Sequence, residues 1–323
     1  MRALVGGVGP SWVLGEVPRP TPGPGQVVIR NRAAATNNAD LGVLRAADPA
    51  SGGTGERYVA GYEYAGEVAA VGAGVDSWQV GDPVMGTTPE SFAEFVVADH
   101  RFVLPRNGLA PEVACALPTG LLTEHGALAA AGFTAGQTVL ITGASTGIGL
   151  IGCQLVKALG GAAVIGTTRT PAKAATLRAA GVDTVVLVPE TDLTRAVLDA
   201  TGGDGVDVVL DHLGGSTFAA CLPATKQFGH VVNIGRLAGA PSTVDLYALS
   251  YRNLTVHGVS FGFSRPDHMA GVIAGLLPAA LPAAERGEVR PVIDCTAPWS
   301  DPDRIQDRLD APDLTGKVVV TLD

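Results

Sequence analysis

The sequence predicts an α/β chain in which a doubly wound parallel sheet is combined with a β-rich unit. Three observations predict it. In the first hundred or so residues, short β-rich runs are separated by turn residues; beyond Leu117, strand-length apolar runs alternate with helix-length runs. Gly and Pro, 43 and 22 of the 323 residues, demand frequent reversals without reaching the composition of a low-complexity chain.

In chain order, Gln26 to Asn31, Gly66 to Val71, Asp82 to Met85 and Ala93 to Val97 read as strands, with Gly, Asp and Ser supplying the turns between them. Val139 to Thr142 reads as a strand, Ile148 to Leu159 as a helix and Ala163 to Thr168 as the next strand. Ala172 to Ala180 is helical, Thr184 to Val188 a strand, Leu193 to Thr201 helical and Val206 to Asp211 a strand; Val231 to Ile234 and Leu254 to Ser260 complete the series. Strands separated by helices imply a parallel sheet, because parallel neighbours need crossover connections. Val292 to Asp323 holds a short helix and a β-like GKVVVTL that returns to the first domain. The expected domains are therefore 1–118 with 266–323, and 119–265.

A net charge of −9 with no Lys or Arg run excludes a nucleic-acid footprint and leaves a small molecule as the partner. The most apolar stretch, Gly271 to Ala284, is interrupted by Pro278 and Pro282 and is shorter than the roughly 20 residues a bilayer span needs. No signal-peptide pattern opens the chain, and it reads as cytoplasmic. Four scattered cysteines and six scattered histidines show no metal-ligand spacing, so buried free thiols and no metal site are expected.

The sharpest signal is TVLITGASTGIGLIGCQLVKALG. Gly143, Ser145, Thr146, Gly147, Ile148 and Gly149 join an apolar strand to a helix, where bare backbone and helix N–H groups suit a pyrophosphate. Arg169 follows Gly149 by 20 residues, at the end of the next strand. An acidic residue there would serve a ribose hydroxyl; Arg169, with Thr168 and Lys173, suits a 2′-phosphate, hence NADPH.

The TGxxxGIG loop also occurs in short-chain dehydrogenases, but here it starts at residue 142 and no Tyr is followed four residues later by Lys. NNADL, GYEYAGEVAAVGAGVDSWQVGDPVMG, LPTGLLTEHGAL, LDHLGG, VVNIGRLAG, HGVSFGF and GKVVV, in this order, resemble the medium-chain dehydrogenase/reductase superfamily, specifically its zinc-independent quinone oxidoreductase and enoyl reductase branch. The resemblance implies a GroES-like catalytic domain joined to a Rossmann domain, with substrate and nicotinamide meeting between them, and dimerisation through the Rossmann sheet edge. Asn37 and Thr123 are then expected near the nicotinamide, Ser260 and Phe261 at its carboxamide, and Gly235 and Arg236 along the cofactor track.

Departures from the zinc-dependent relatives carry information. Asn37 to Asp40 and Tyr62 stand where those relatives place ligands, and Met85 to Val97 contains no Cys. Without a Lewis acid, alcohol oxidation is hard, whereas hydride delivery to an α,β-unsaturated carbonyl or a quinone needs none. Tyr62 is expected to stabilise an oxyanion or donate a proton, or else to pack. The alternatives are an NADPH-binding protein with little catalysis and an alcohol dehydrogenase.

Overall fold

The computed structural model describes residues 1–322. They divide into two compact units, one of Met1–Thr119, Phe263–Ala274 and Pro291 onward, the other of Gly120–Gly262 and Gly275–Arg290. The stretch Gly275–Arg290 was expected from sequence within the 266–323 return; it packs in the second unit, where Gln154 bonds the backbone of Arg290 at 2.8 and 3.0 Å. Among the described residues no helix is long and apolar enough to cross a membrane.

The first unit opens with β1 (Arg2–Gly6), β2 (Val13–Glu16), β3 (Gln26–Ala35), α1 (Asn38–Ala47), β4 (Tyr58–Val59), β5 (Glu63–Val71), β6 (Pro83–Thr87), β7 (Phe95–Asp99), β8 (Val103–Pro105) and α2 (Pro111–Ala114). Then α3 (Pro118–Ala130) leads into the second unit: β9 (Thr138–Ile141), α4 (Gly147–Ala158), β10 (Ala163–Thr168), α5 (Ala174–Ala179), β11 (Thr184–Leu187), α6 (Leu193–Ala200) and β12 (Val206–Asp211). It continues through α7 (Gly215–Ala224), β13 (Thr225–Asn233), α8 (Leu246–Tyr251) and β14 (Thr255–Gly258); α9 (Pro266–Ala279) begins in the first unit and ends in the second, α10 (Leu281–Glu285) belongs to the second, and the chain returns to the first with β15 (Ile293–Pro298), α11 (Pro302–Asp310) and β16 (Lys317–Thr321).

A seven-stranded sheet orders β15-β16-β3-β5-β6-β8, with β7 paired to β3, and a three-stranded sheet orders β2-β1-β4. Val27, Ile29, Tyr64, Val68, Val84, Val96 and Val103 fill the interior of the larger sheet. The alternation along β3 and β5 is broken by two register shifts. Beside the second, Gly66 leaves no room for a side chain: a Cβ would lie 2.1 Å from the Arg30 carbonyl oxygen. The return strand β16 runs antiparallel to β3, Val319 opposite Ala35, and so brings Lys317 to the end of β3 that feeds α1.

In the second unit every neighbour pair of β11-β10-β9-β12-β13-β14 is parallel. Val139, Leu140 and Ile141 of β9 are wholly buried, as expected of a strand covered on both faces. The order reverses between β9 and β12, the place where open α/β sheets take ligands beyond their strand ends.

Candidate functional site

The glycine loop joins β9 to α4 through a turn held by its own hydrogen bonds. Gly143 has a left-handed φ of 62° and donates its N–H to Thr167 Oγ1 at 2.9 Å. Thr146 caps α4 by accepting from the Gly149 N–H at 3.1 Å. A Cβ on Gly149 would stand 2.7 Å from the Gly143 carbonyl oxygen, so helix and loop touch backbone to backbone. Ser145, Gly147 and Ile148 are half-buried in this turn, and Ser145 Oγ lies 3.2 Å from Thr168 Oγ1. That contact ties the loop to the end of β10, where Arg169 is exposed and Lys173 is half-buried.

Beyond β12, Asp211 organises the next two turns. Its carboxylate accepts from Thr142 Oγ1 at 2.8 Å, from the Gly214 N–H at 3.1 Å and from Asn233 Nδ2 at 3.0 Å. Gly235 packs under the His212 carbonyl, which a Cβ would approach to 2.4 Å, and Arg236 is exposed beside it. His212 Nε2 is 2.9 Å from Glu124 Oε1, both side chains almost completely buried. Burial alone would lower the His212 pKa, but the Glu124 carboxylate and, behind it, Asp211 hold it above the ordinary value. Thr123, next to Glu124 on α3, is buried, while the His125 ring lies where a Cβ on Gly275 would approach it to 3.4 Å, and burial lowers its pKa. Ser260 and Phe261 lie in the segment just past β14, exposed and half-buried respectively.

The first unit carries a buried polar cluster that sequence reasoning missed. Lys317 Nζ donates to Glu63 Oε2, and to Asn37 Oδ1 at 3.1 Å. Asn37 Nδ2 donates to the same Glu63 oxygen at 2.8 Å, and the Thr119 N–H donates to Glu63 Oε1 at 2.6 Å. Both ends of the Asn37 amide are thereby fixed. Asp40, in the first turn of α1, accepts from the Asn37 N–H at 2.6 Å. Burial, reinforced by Glu63, pushes the Asp40 pKa up to about 7 against the pull of backbone bonds and Lys317. Two signals in the sequence point to this cluster: a Lys leading the apolar VVV of β16, and a Glu among the mostly apolar residues that open β5.

Tyr62 is half-buried and stacks on Phe263, centroids 6.1 Å apart and planes 10° from parallel. Burial, then the Asp40 charge, raises its pKa, so the phenol keeps its proton at neutral pH. Three of the four cysteines are buried, and burial raises each of those thiols. They are poor nucleophiles there.

Two families match separate parts of the chain. Residues 23–112 match the family described as alcohol dehydrogenase GroES-like domain, and residues 147–276 the family described as zinc-binding dehydrogenase. A quinone oxidoreductase of Pseudomonas aeruginosa is 31% identical over 312 residues, which are 93% of this chain and 92% of that protein. Prostaglandin reductase-3 of Bos taurus is 30% identical over 267 residues, 82% of this chain but only 64% of its own length. A solved alcohol dehydrogenase superfamily protein from Novosphingobium aromaticivorans superposes with a TM-score of 0.85 at 30% identity over 100% of both chains. A mycobacterial protein solved with NADPH superposes with a TM-score of 0.84 at 29% identity, covering 99% of this chain and 100% of its own.

The zinc in one family's description does not fit the residues here. Asn37 offers an amide already bonded at both ends, Tyr62 a protonated phenol, and Glu63 a carboxylate already facing the Lys317 ammonium. Zinc sites are built from thiolate, imidazole and free carboxylate.

Proposed function

Because the chain belongs to the medium-chain dehydrogenase/reductase superfamily, in its quinone oxidoreductase branch, we propose that it is a zinc-independent, NADPH-dependent reductase of an activated C=C bond, in an enone or enoyl thioester, or of a quinone. The chain is a reductase that uses a nicotinamide cofactor. When bound, the reduced nicotinamide supplies the hydride. The chain supplies binding, orientation and a proton.

The observation that carries the NADPH assignment is the Ser145–Thr168 contact at 3.2 Å, which sets the cationic Arg169 beside the pyrophosphate loop. Gly143, Gly147 and Gly149 present backbone to the pyrophosphate, and Thr168, Arg169 and Lys173 meet the 2′-phosphate. Gly235 and Arg236 continue the track at the next strand end, and Ser260 and Phe261 receive the carboxamide through their backbone. Asn37, held by Lys317 and Glu63, and Thr123 orient the nicotinamide. Tyr62, protonated at neutral pH, donates to the oxygen that gains charge as hydride arrives.

Replacing Arg169 with Asp tests the assignment. The ratio of kcat/KM for NADPH over NADH should fall by roughly tenfold or more, the value of a lost charge-assisted hydrogen bond. Equal use of both cofactors by the unaltered enzyme, or an unchanged preference in Arg169→Asp, refutes it.

Assembly as a homodimer fits the edge of the second sheet. There β14 has a neighbour on one side only, Val256 is exposed, and Tyr247 and Tyr251 stack at 5.4 Å on the exposed side of α8. Sedimentation of Tyr247→Glu against the unaltered chain tests it, a monomeric variant being expected. Unpaired thiols suit a reducing compartment, and the cytoplasm is the proposed location.

A further inference from the structure

The exposed face of the seven-stranded sheet holds an open cavity of about 460 Å³, whose lining includes Arg19, Arg30, Arg32, Glu67, Val80 and Phe95. Arg30 is central: it lies opposite Glu67 on β5 and opposite Phe95 on β7. Its neighbours are already engaged. Glu67 accepts from Arg32 Nε at 2.7 Å and faces Arg106 Nη2 at 3.6 Å, while the Arg19 guanidinium lies 3.7 Å above the Phe95 ring. Among the described residues nothing pairs with the Arg30 side chain.

Three guanidiniums thus line a cavity whose lining contributes one carboxylate, in a chain of net charge −9. Like charges gathered in one cavity repel, two of them fixed on β3 and the third on the segment that leads into it, and the arrangement is costly unless a counter-charge visits it. Arg30 and Arg32 leave β3 two residues apart, about 7 Å along the strand. That spacing is wide for one carboxylate and suits a chain of phosphates gripped by planar guanidinium forks. The rim is apolar at Val80, which is 68% exposed, and aromatic at Phe95, so an organic group has a place beside the phosphates.

We propose that this groove is a second ligand site, independent of the glycine loop, for an organic di- or triphosphate. The probes are inorganic pyrophosphate and ADP, titrated calorimetrically into enzyme saturated with NADPH so that the glycine loop is filled. One site per chain is expected, weakened at least tenfold in Arg30→Ala and in Arg19→Ala, and weakened by added salt. Both residues are exposed, so the variants should keep the parent's melting temperature and its KM for NADPH. Arg30→Lys, which keeps the charge and loses the fork, should bind with an affinity between those of the parent and Arg30→Ala. Absence of binding by either probe at millimolar concentration, or equal affinity in the parent and both alanine variants, overturns the proposal.

Discussion

Replacing Lys317 with Met removes one charge from a pair whose side chains are 3% and 0% exposed. Glu63 then keeps its bonds from Thr119 N–H and Asn37 Nδ2 but loses the Lys317 ammonium, and a buried carboxylate without a counter-charge costs about 3–5 kcal/mol. At about 2–4 °C per kcal/mol for a domain of this size, the melting temperature should fall by roughly 6–20 °C. Asn37 loses its Oδ1 partner in the same step, so kcat should drop as well. Adding Glu63→Gln to Lys317→Met removes the orphaned charge and should recover most of the lost stability while leaving Asn37 without its ammonium. Scanning calorimetry and steady-state kinetics on the two variants separate these effects. A Lys317→Met melting temperature within 2 °C of the parent, or a double variant no more stable than the single, would refute the reasoning.

Gly149→Ala drives a methyl into the Gly143 carbonyl and the Ala144 Cα, 2.7 and 2.9 Å away, and should weaken NADPH binding by at least tenfold at a stability cost of about 1–3 kcal/mol, read by fluorescence titration and denaturation. The Asp40 carboxyl is raised from 3.8 to about 7 in the fold, so its contribution to stability is full below about pH 4 and is lost as pH rises through about 7. Asp40→Asn should therefore gain on the parent between pH 4 and pH 8, by up to roughly 4 kcal/mol, in urea denaturation at several pH values; parallel profiles would contradict this. In Glu124→Gln the carboxylate that sustains the His212 proton is gone and burial prevails, so the His212 titration seen by NMR should move below its ordinary value.

The parallel sheet was legible because its strands are continuous apolar runs between helices, and β10 and β12 span Ala163–Thr168 and Val206–Asp211 as their sequences suggest. The β-rich unit was legible only in part. Residues Tyr58–Val59 form too short a run to register, and Arg2–Gly6 looks like an ordinary N-terminus until β2 and β4 flank it. Strand β5 was expected from Gly66 but begins at Glu63, whose charge argues against a buried strand until Lys317, 254 positions later, arrives to meet it. Long-range pairing of this kind leaves no local pattern. The glycine loop is the opposite case: its residues act within one strand, one turn and one helix, so spacing alone locates it.

Steady-state oxidation of NADPH by chelator-treated protein, offered a panel of enones, enoyl thioesters and quinones, is the most direct measurement. Turnover of at least one acceptor, with NADPH favoured over NADH and no response to added zinc, is the expected result. NADPH binding without oxidation across the panel, or activity that returns only with zinc, would contradict it.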